Sequence, residues 1–442
     1  MTAAEGTTAA PADHTRQNRE AMVAFFGEHM HGGDVSRSGL LGVEVEHFLL
    51  FDDGEPVPYY PDPARGRIGV RDVLVALEPT YPERSYTTEG ELIGLAGPEG
   101  SVTLEPAAQL EVSLAPYRTI AEVERGYRHF RGLVDAYLAD HGAHVETWGY
   151  HPTHRAFDLT LIPKTRYAHM NDYFTRHIHT HGERMMRASA STQVSVDFAD
   201  EADAVRKLRV ASALAPVLAA IADNVPVFEG EPNHAPICRL RLWRNVDNDR
   251  CGVVPGVFDE GFGFEAYADW QFATCPIFVT RPAAADPQGP STRAVYGVSA
   301  AEAYADAPMT KADLAQLGSM FWPDARLKQF VEVRPADCMP PEQVFGYSAL
   351  VKGLFYSEAS LQAVEARLGV RGTTWPLGAA DVEAAIASIE AHGFAGLAYG
   401  TTLAEWERLL FDLARAALPA DERPYLDPLE AFAAEKPWWR VA

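Results

Sequence analysis

Glu44 and Glu46 stand one residue apart in Leu41-Gly-Val-Glu-Val-Glu-His-Phe-Leu-Leu50. The Val, Phe and Leu content reads as a strand, so both carboxylates leave the same face. Two positions along a strand is about 7 Å, where like charges repel by about 2 kcal/mol at an effective dielectric of about 20. A bound cation would turn that cost into a site, whereas an exposed edge strand would leave the pair to water. Further stretches bear on the choice. Gln109–Leu114 alternates strictly, with Gln109, Glu111 and Ser113 on one side, and Glu105 lies just upstream. Gln193–Phe198 sets Gln193, Ser195 and Asp197 against Val194, Val196 and Phe198. Cys238–Trp243 reads the same way, with Arg239, Arg241 and Trp243 sharing a face, and in Phe330–Arg334 Glu332 and Arg334 share another.

Alternation alone implies only half-buried strands. The combined chemistry implies more: Glu44, Glu46, Glu105, Glu111 and Glu332 offer the oxygen donors that Mg²⁺ requires, and no His or Cys cluster competes for a softer metal. Arg239 and Arg334 add guanidinium forks suited to carboxylate or phosphate oxygens. Nucleotide phosphates and an acidic substrate fit this composition. There is no Gly-x-x-x-x-Gly-Lys phosphate loop and no Gly-x-Ser-x-Gly elbow, and Gly252–Gly263 lacks the strand and helix context of a dinucleotide fingerprint. His47, His129, His144, His151 and His169 read as surface or core histidines.

An antiparallel sheet with one wet face and one helix-covered face would present these side chains together. Helical periodicity is expected over Asn18–His29, Arg118–His141, Asp200–Asn224 (interrupted by Pro216), Pro340–Tyr356, Asp381–His392 and Leu403–Leu418. Residues 1–15 read as a flexible tail, 16–442 as a single catalytic domain with a helical C-terminal part, and Arg281–Arg293, rich in Pro, Ala and Gly, as a loop or insertion. The net charge of −23 over 442 residues argues against nucleic-acid or anionic-membrane partners. The longest apolar run, Ala211–Ala222, is too short to span a bilayer. Four scattered cysteines indicate neither a zinc site nor a disulfide framework, which fits a cytoplasmic setting.

Taken in order, Gly42–Phe48, Thr103–Ser113, Gln193–Phe198 and Val331–Asp337 resemble the glutamate–cysteine ligases, in the form of the plant and proteobacterial branch. Pro163–Tyr167, Trp243 through Asp249–Gly252, Phe258–Glu265 and Arg326–Lys328 agree with it. The resemblance implies an α+β fold like that of glutamine synthetase and the guanidino kinases: a curved, largely antiparallel sheet with a polar concave face, helices packed outside. It implies an ATP-dependent reaction in which the γ-carboxylate of L-glutamate takes the γ-phosphoryl group and the amine of L-cysteine displaces it, giving γ-glutamylcysteine. It makes Glu44, Glu46, Glu105, Glu111 and Glu332 the Mg²⁺ ligands. Arg239, Arg334 and Glu332 become catalytic, Arg166, Tyr167, Gln193 and Arg239 substrate-binding, and Lys328 and Arg334 nucleotide-binding. Arg166, Tyr167 and Lys328 are equally compatible with surface roles. This chain has Ser195 where the plant branch has Asn, Ala107 and Ala108 where it has two glycines, and Arg187 one position before its arginine, at Ala188. These departures bear on the amine acceptor, so a ligase joining glutamate to a different amine is the alternative; a catalytically silent binding protein is a third reading. Neutralising Glu44 or Glu332 is expected to spare folding.

Overall fold

The computed structural model describes residues 13–34, 36, 38–281 and 291–439. Most of the expected tail and the centre of the expected 281–293 loop lie outside these residues. The loop is bracketed by a short hairpin pairing Phe278–Arg281 with Ser291–Ala294.

Nine strands form the main sheet: β1 (Leu41–Phe51), β2 (Glu83–Tyr86), β3 (Leu92–Gly97), β4 (Gly100–Leu104), β5 (Leu110–Leu114), β6 (Ala143–Glu146), β7 (Ser191–Val196), β8 (Ala325–Leu327) and β9 (Val331–Asp337). Their spatial order is β8-β9-β7-β1-β5-β4-β3-β2, with β6 on the far half of β1, and every pairing is antiparallel. The fold is therefore α+β with a large antiparallel sheet, as the alternation predicts. Val43, Val45, Val112, Val194, Val331 and Val333 are buried on one face. The helices Glu201–Ile221, Pro341–Phe355 and Ile120–Ala139 pack onto the sheet. Val and Ile suit this role because branched side chains fill the pleated surface between strand and helix.

Helix boundaries follow local chemistry. The predicted Arg118–His141 helix begins at Ile120 because Thr119 caps it: Glu122 N–H donates to Thr119 Oγ1 at 3.2 Å and Thr119 N–H donates to Glu122 Oε2 at 3.0 Å. The predicted helix at Asn18 begins earlier, at Thr15, and Asn18 is a buried anchor whose Nδ2 donates to the carbonyls of Tyr304 and Ala307. Pro216 does not interrupt its helix, which runs unbroken from Glu201 to Ile221. All residues from Leu208 to Ile221 are buried, and that packing offsets the hydrogen bond proline cannot make.

One expected strand is a helix. Cys238–Arg244 is helical, and the error has a definite source: a spacing of four fits both a two-residue and a 3.6-residue period. Cys238 and Leu242 pack together into a small cluster with Tyr150, Leu159 and Val225. Arg239 and Trp243 still share a face, but Arg241 turns away to lie against the Phe228 ring, 5.8 Å from its centroid.

Candidate active site

The polar face of the sheet is set by register. Glu46 lies opposite Glu111, Glu44 opposite both Gln193 and Ser113, and Thr103 opposite Glu111. Glu332 pairs with Ser195 on one side and Arg326 on the other. Between Val333 and Ala336 the β9 register slips by one residue, so Arg334 and Pro335 together oppose Gln193. Pro335 has no N–H to give the ladder, and the bulge leaves Arg334 beside Glu332 and Gln193.

The polar face borders a cavity of about 330 Å³. Glu44, Glu46, Glu105, Glu111, Arg166, Tyr167, Gln193, Arg239, Lys328 and Arg334, each singled out above, are all on its wall. Glu332 is the exception. It is 0 % exposed and takes Arg326 Nε (2.7 Å) and Nη2 (3.0 Å), Lys328 Nζ (2.9 Å) and Arg334 Nη1 (2.6 Å). Burial favours its neutral form, but the charges of Arg326, Lys328 and Arg334 outweigh burial and hold the carboxyl well below the usual range. With four donors already on its two oxygens it serves as the counter-ion to three cations.

Glu44, Glu46 and Glu111 face the opposite situation. Burial pushes Glu44 and Glu111 up to about 7 and Glu46 to about 8, and neighbouring carboxylates add to each rise. Glu111 accepts from Thr103 Oγ1 (2.9 Å) and Ser113 Oγ (3.3 Å), and Glu46 from Gln193 Nε2 (3.3 Å). Glu105 sits in the β4–β5 hairpin loop, where its N–H donates to the Gln109 carbonyl at 3.0 Å. Among the described residues no three His, Cys, Asp or Glu side chains are gathered around a common metal position. The donor set nevertheless fits a hard cation: Glu44, Glu46, Glu105 and Glu111 are oxygen donors on one wall, and burial followed by mutual repulsion raises the carboxyls of Glu44, Glu46 and Glu111, a cost that a bound cation would relieve.

Positive charge comes from the other walls. Arg239 is 3 % exposed; its Nε donates to the Arg334 carbonyl at 3.1 Å while its Nη1 is buried with no partner. Arg166 also has a spare buried Nε, its guanidinium lying 5.6 Å from the Tyr167 ring centroid and 5.5 Å from that of Phe278. Tyr167 donates to the Leu104 carbonyl at 3.1 Å. Trp243 presents its ring to both Arg239 (5.6 Å) and Arg334 (5.7 Å).

The profile of glutamate-cysteine ligase family 2 matches residues 40–434, which contain the whole of this cavity. The chain belongs to that family. It is 33% identical over 348 residues to glutamate–cysteine ligase B, chloroplastic, of Oryza sativa subsp. japonica, covering 78% of this chain and 68% of that one. It is 34% identical over 348 residues to the chloroplastic glutamate–cysteine ligase of Arabidopsis thaliana, covering 78% and 64%. A crystal structure of glutamate–cysteine ligase from Francisella tularensis in complex with AMP superposes with a TM-score of 0.54 at 12% identity, covering 90% of this chain and 82% of that one, a likeness of fold.

Within the family frame, the residues missed from sequence have visible signals. Arg326 stands two before Lys328, hence on the same strand face, and meets Glu332 across a tight hairpin in which Lys328 N–H donates to the Phe330 carbonyl at 2.9 Å. Lys164 follows Pro163 in the Pro163–Tyr167 motif and places its ammonium 4.7 Å from the Tyr167 ring centroid; burial lowers it to about 8. Gln109 is a buried clamp, accepting from Ala107 N–H (2.8 Å) and donating to the Met186 (3.2 Å) and Ser189 (3.1 Å) carbonyls. Ala108, where the plant branch has glycine, holds a left-handed φ of 70° in the same loop. Arg187 turns from the cavity to the Leu159 carbonyl and the Asn171 side chain. His47, as expected, is core: it contacts the Leu110 carbonyl at 3.0 Å and Tyr127 Oη at 2.7 Å, and burial depresses it to about 3, leaving it neutral.

Proposed function

We propose that this chain joins L-glutamate to L-cysteine with hydrolysis of ATP to ADP and phosphate, forming γ-glutamylcysteine. The γ-carboxylate is a poor electrophile with oxide as its leaving group; transfer of the γ-phosphoryl group makes an acyl phosphate. The cysteine nitrogen then attacks the acyl carbon, phosphate leaves with the C–O electron pair, and the amine releases a proton. Family membership supports the reaction. The reading that the substrate carboxylate binds here is supported by the pair of cavity-wall guanidiniums, Arg239 and Arg166, each with a buried N–H lacking a partner. An entering carboxylate supplies the missing acceptors.

A second cavity of about 470 Å³ adjoins the first, lined by Leu40, Leu114, Pro116, Val196 and Phe330, and Glu44 is common to both. Its apolar walls suit a nucleotide base, which would direct phosphates past Glu44 toward Lys328 and Arg334. Glu44, Glu46, Glu105 and Glu111 would hold Mg²⁺, which when bound neutralises phosphate charge during transfer. Glu332 keeps Arg326, Lys328 and Arg334 aligned on that charge, and Gln193 ties Arg334 to Glu46. Residues 16–442 act as one catalytic domain, a reading supported by a continuous core from Met22 to Trp439. A cytoplasmic setting is consistent with four free cysteines, and among the described residues no helix is long and apolar enough to cross a membrane.

The test is mass spectrometry of products from ATP, Mg²⁺, glutamate and a panel of amino acids. Formation of γ-glutamylcysteine in preference to other γ-glutamyl amides is expected. A product that forms equally without cysteine would overturn the acceptor assignment, and absence of ADP release with every substrate saturating would overturn the reaction.

A further inference from the structure

The helix that delivers Arg239 and Trp243 to the cavity starts from a constrained backbone. Ile237 has φ 49° and ψ 43°, a left-handed conformation that a β-branched side chain takes only where its surroundings compel it. It is 1 % exposed and packed in the core. Its N–H meets a buried carboxylate. Ile237 N–H donates to Asp223 Oδ2 at 3.1 Å, and the same oxygen takes Trp439 Nε1–H at 2.5 Å, while Oδ1 takes Val225 N–H at 3.3 Å. Asp223 is 0 % exposed. Lys436, buried beside it, donates to the Asp223 carbonyl at 2.9 Å and the Ile221 carbonyl at 3.2 Å, fixing the end of the Glu201–Ile221 helix from which Asp223 projects. The neighbouring Asn224 N–H donates to Asp337 Oδ2 at 2.8 Å, so the same node grips the end of β9, the strand of Arg334. Neither Lys436 nor Trp439 lines the cavity. A segment two hundred positions away in sequence therefore meets the base of the substrate-arginine helix through one buried side chain.

We propose that Asp223, clamped by Lys436 and Trp439, is a positioning residue for glutamate binding: it keeps Ile237 left-handed and thereby holds Arg239 and Trp243 at the cavity wall. This rests on Arg239 as the carboxylate-binding arginine. Without the clamp, Ile237 relaxes toward ordinary backbone angles, the binding-competent helix is populated only in part, and apparent affinity falls by that fraction. The nucleotide half of the face is carried chiefly on β1, β5 and the β8–β9 hairpin and touches this helix through Arg334, whose carbonyl takes Arg239 Nε and whose guanidinium faces Trp243, so the effect on ATP is expected to be the smaller one.

The experiment is steady-state ADP release with Asp223→Asn, Trp439→Phe and the double variant Asp223→Asn/Ile237→Gly, with Arg239→Lys as control. Trp439→Phe keeps a ring against Phe394, whose centroid lies 4.9 Å from the Trp439 ring, and removes only the donor. Loss of a hydrogen bond to a buried carboxylate sets the expected scale: Asp223→Asn raises KM for glutamate about tenfold and Trp439→Phe severalfold, with KM for ATP changed less than about twofold. Glycine adopts left-handed angles unaided, so the double variant recovers most of the glutamate KM lost in Asp223→Asn. A merely structural role predicts no such rescue. Equal rises in both KM values, or a folded double variant by circular dichroism without recovery, would overturn the proposal. Should Asp223→Asn not fold, the substrate split in Trp439→Phe decides, an unchanged glutamate KM refuting it. If Arg239→Lys itself leaves the glutamate KM unchanged, the underlying assignment of Arg239 fails instead.

Discussion

Glu332→Gln and Glu44→Gln remove the same charge from the same sheet face, yet they are expected to move stability in opposite directions. Glu332 is fully buried with four donors from Arg326, Lys328 and Arg334 on its oxygens. Glutamine leaves three cations short of their counter-ion and turns an acceptor into a donor facing them, a loss on the scale of a broken buried ion pair, about 3–5 kcal/mol. This reverses the sequence-based expectation that neutralising Glu332 spares folding. Glu44 stands at the half-buried cavity wall with its carboxyl raised, chiefly by burial, from 4.5 to about 7. The folded state thus binds this proton more tightly than the unfolded state, so ligand-free wild type loses stability as pH rises from about 4.5 to about 7. The shift corresponds to about 3 kcal/mol, and water reaching the wall reduces it to about 1–2 kcal/mol. Glutamine is neutral throughout and removes that loss. Urea unfolding of metal-free, ligand-free protein, followed by tryptophan fluorescence at pH 5 and pH 8, measures both. At pH 8 Glu332→Gln should lose about 3 kcal/mol or more and Glu44→Gln gain about 1, with Glu44→Gln near wild type at pH 5. A loss at pH 8 by Glu44→Gln as large as that of Glu332→Gln would refute the division of the acids into one paired anchor and an unpaired wall.

Arg239→Lys should raise KM for glutamate at least about tenfold, because a lysine cannot both hold the Arg334 carbonyl and offer a second fixed donor to substrate; initial-rate kinetics at saturating ATP checks this, and a change confined to the ATP KM would contradict it. Mg²⁺ should raise the melting temperature of ligand-free protein more at pH 8 than at pH 5, since Glu44, Glu46 and Glu111 retain their protons in acid and must shed them to bind the ion. Differential scanning fluorimetry across pH measures it, and a shift that does not depend on pH would count against these acids as ligands.

The strands around the site were legible because alternation and register obey the same two-residue period: once Glu44, Glu111, Gln193 and Glu332 are placed on half-buried strands, antiparallel pairing brings them to one face. The Cys238–Arg244 helix was not, because Arg239 and Trp243 four apart satisfy either period and only the packing of Cys238 and Leu242 decides between them. Residue type alone also could not separate Glu332 from the other acids. Its role depends on Arg326 lying directly opposite, which is a matter of hairpin register, and on the bulge that leaves Arg334 at its side. Likewise the Asp223 node draws on residues 223, 237, 337, 436 and 439, a set with no sequence pattern at all.

The strand order has a consequence for how this protein is made. β1 lies in the middle of the sheet; one neighbour, β5, follows within some seventy residues, but the other, β7, begins only at Ser191, and β9 only at Val331. During synthesis the open side of β1 must therefore wait, apolar Val43 and Val45 included, while much of the chain emerges. Chaperone dependence and inclusion-body formation should accordingly track the speed at which the later strands arrive rather than the stability of the finished molecule.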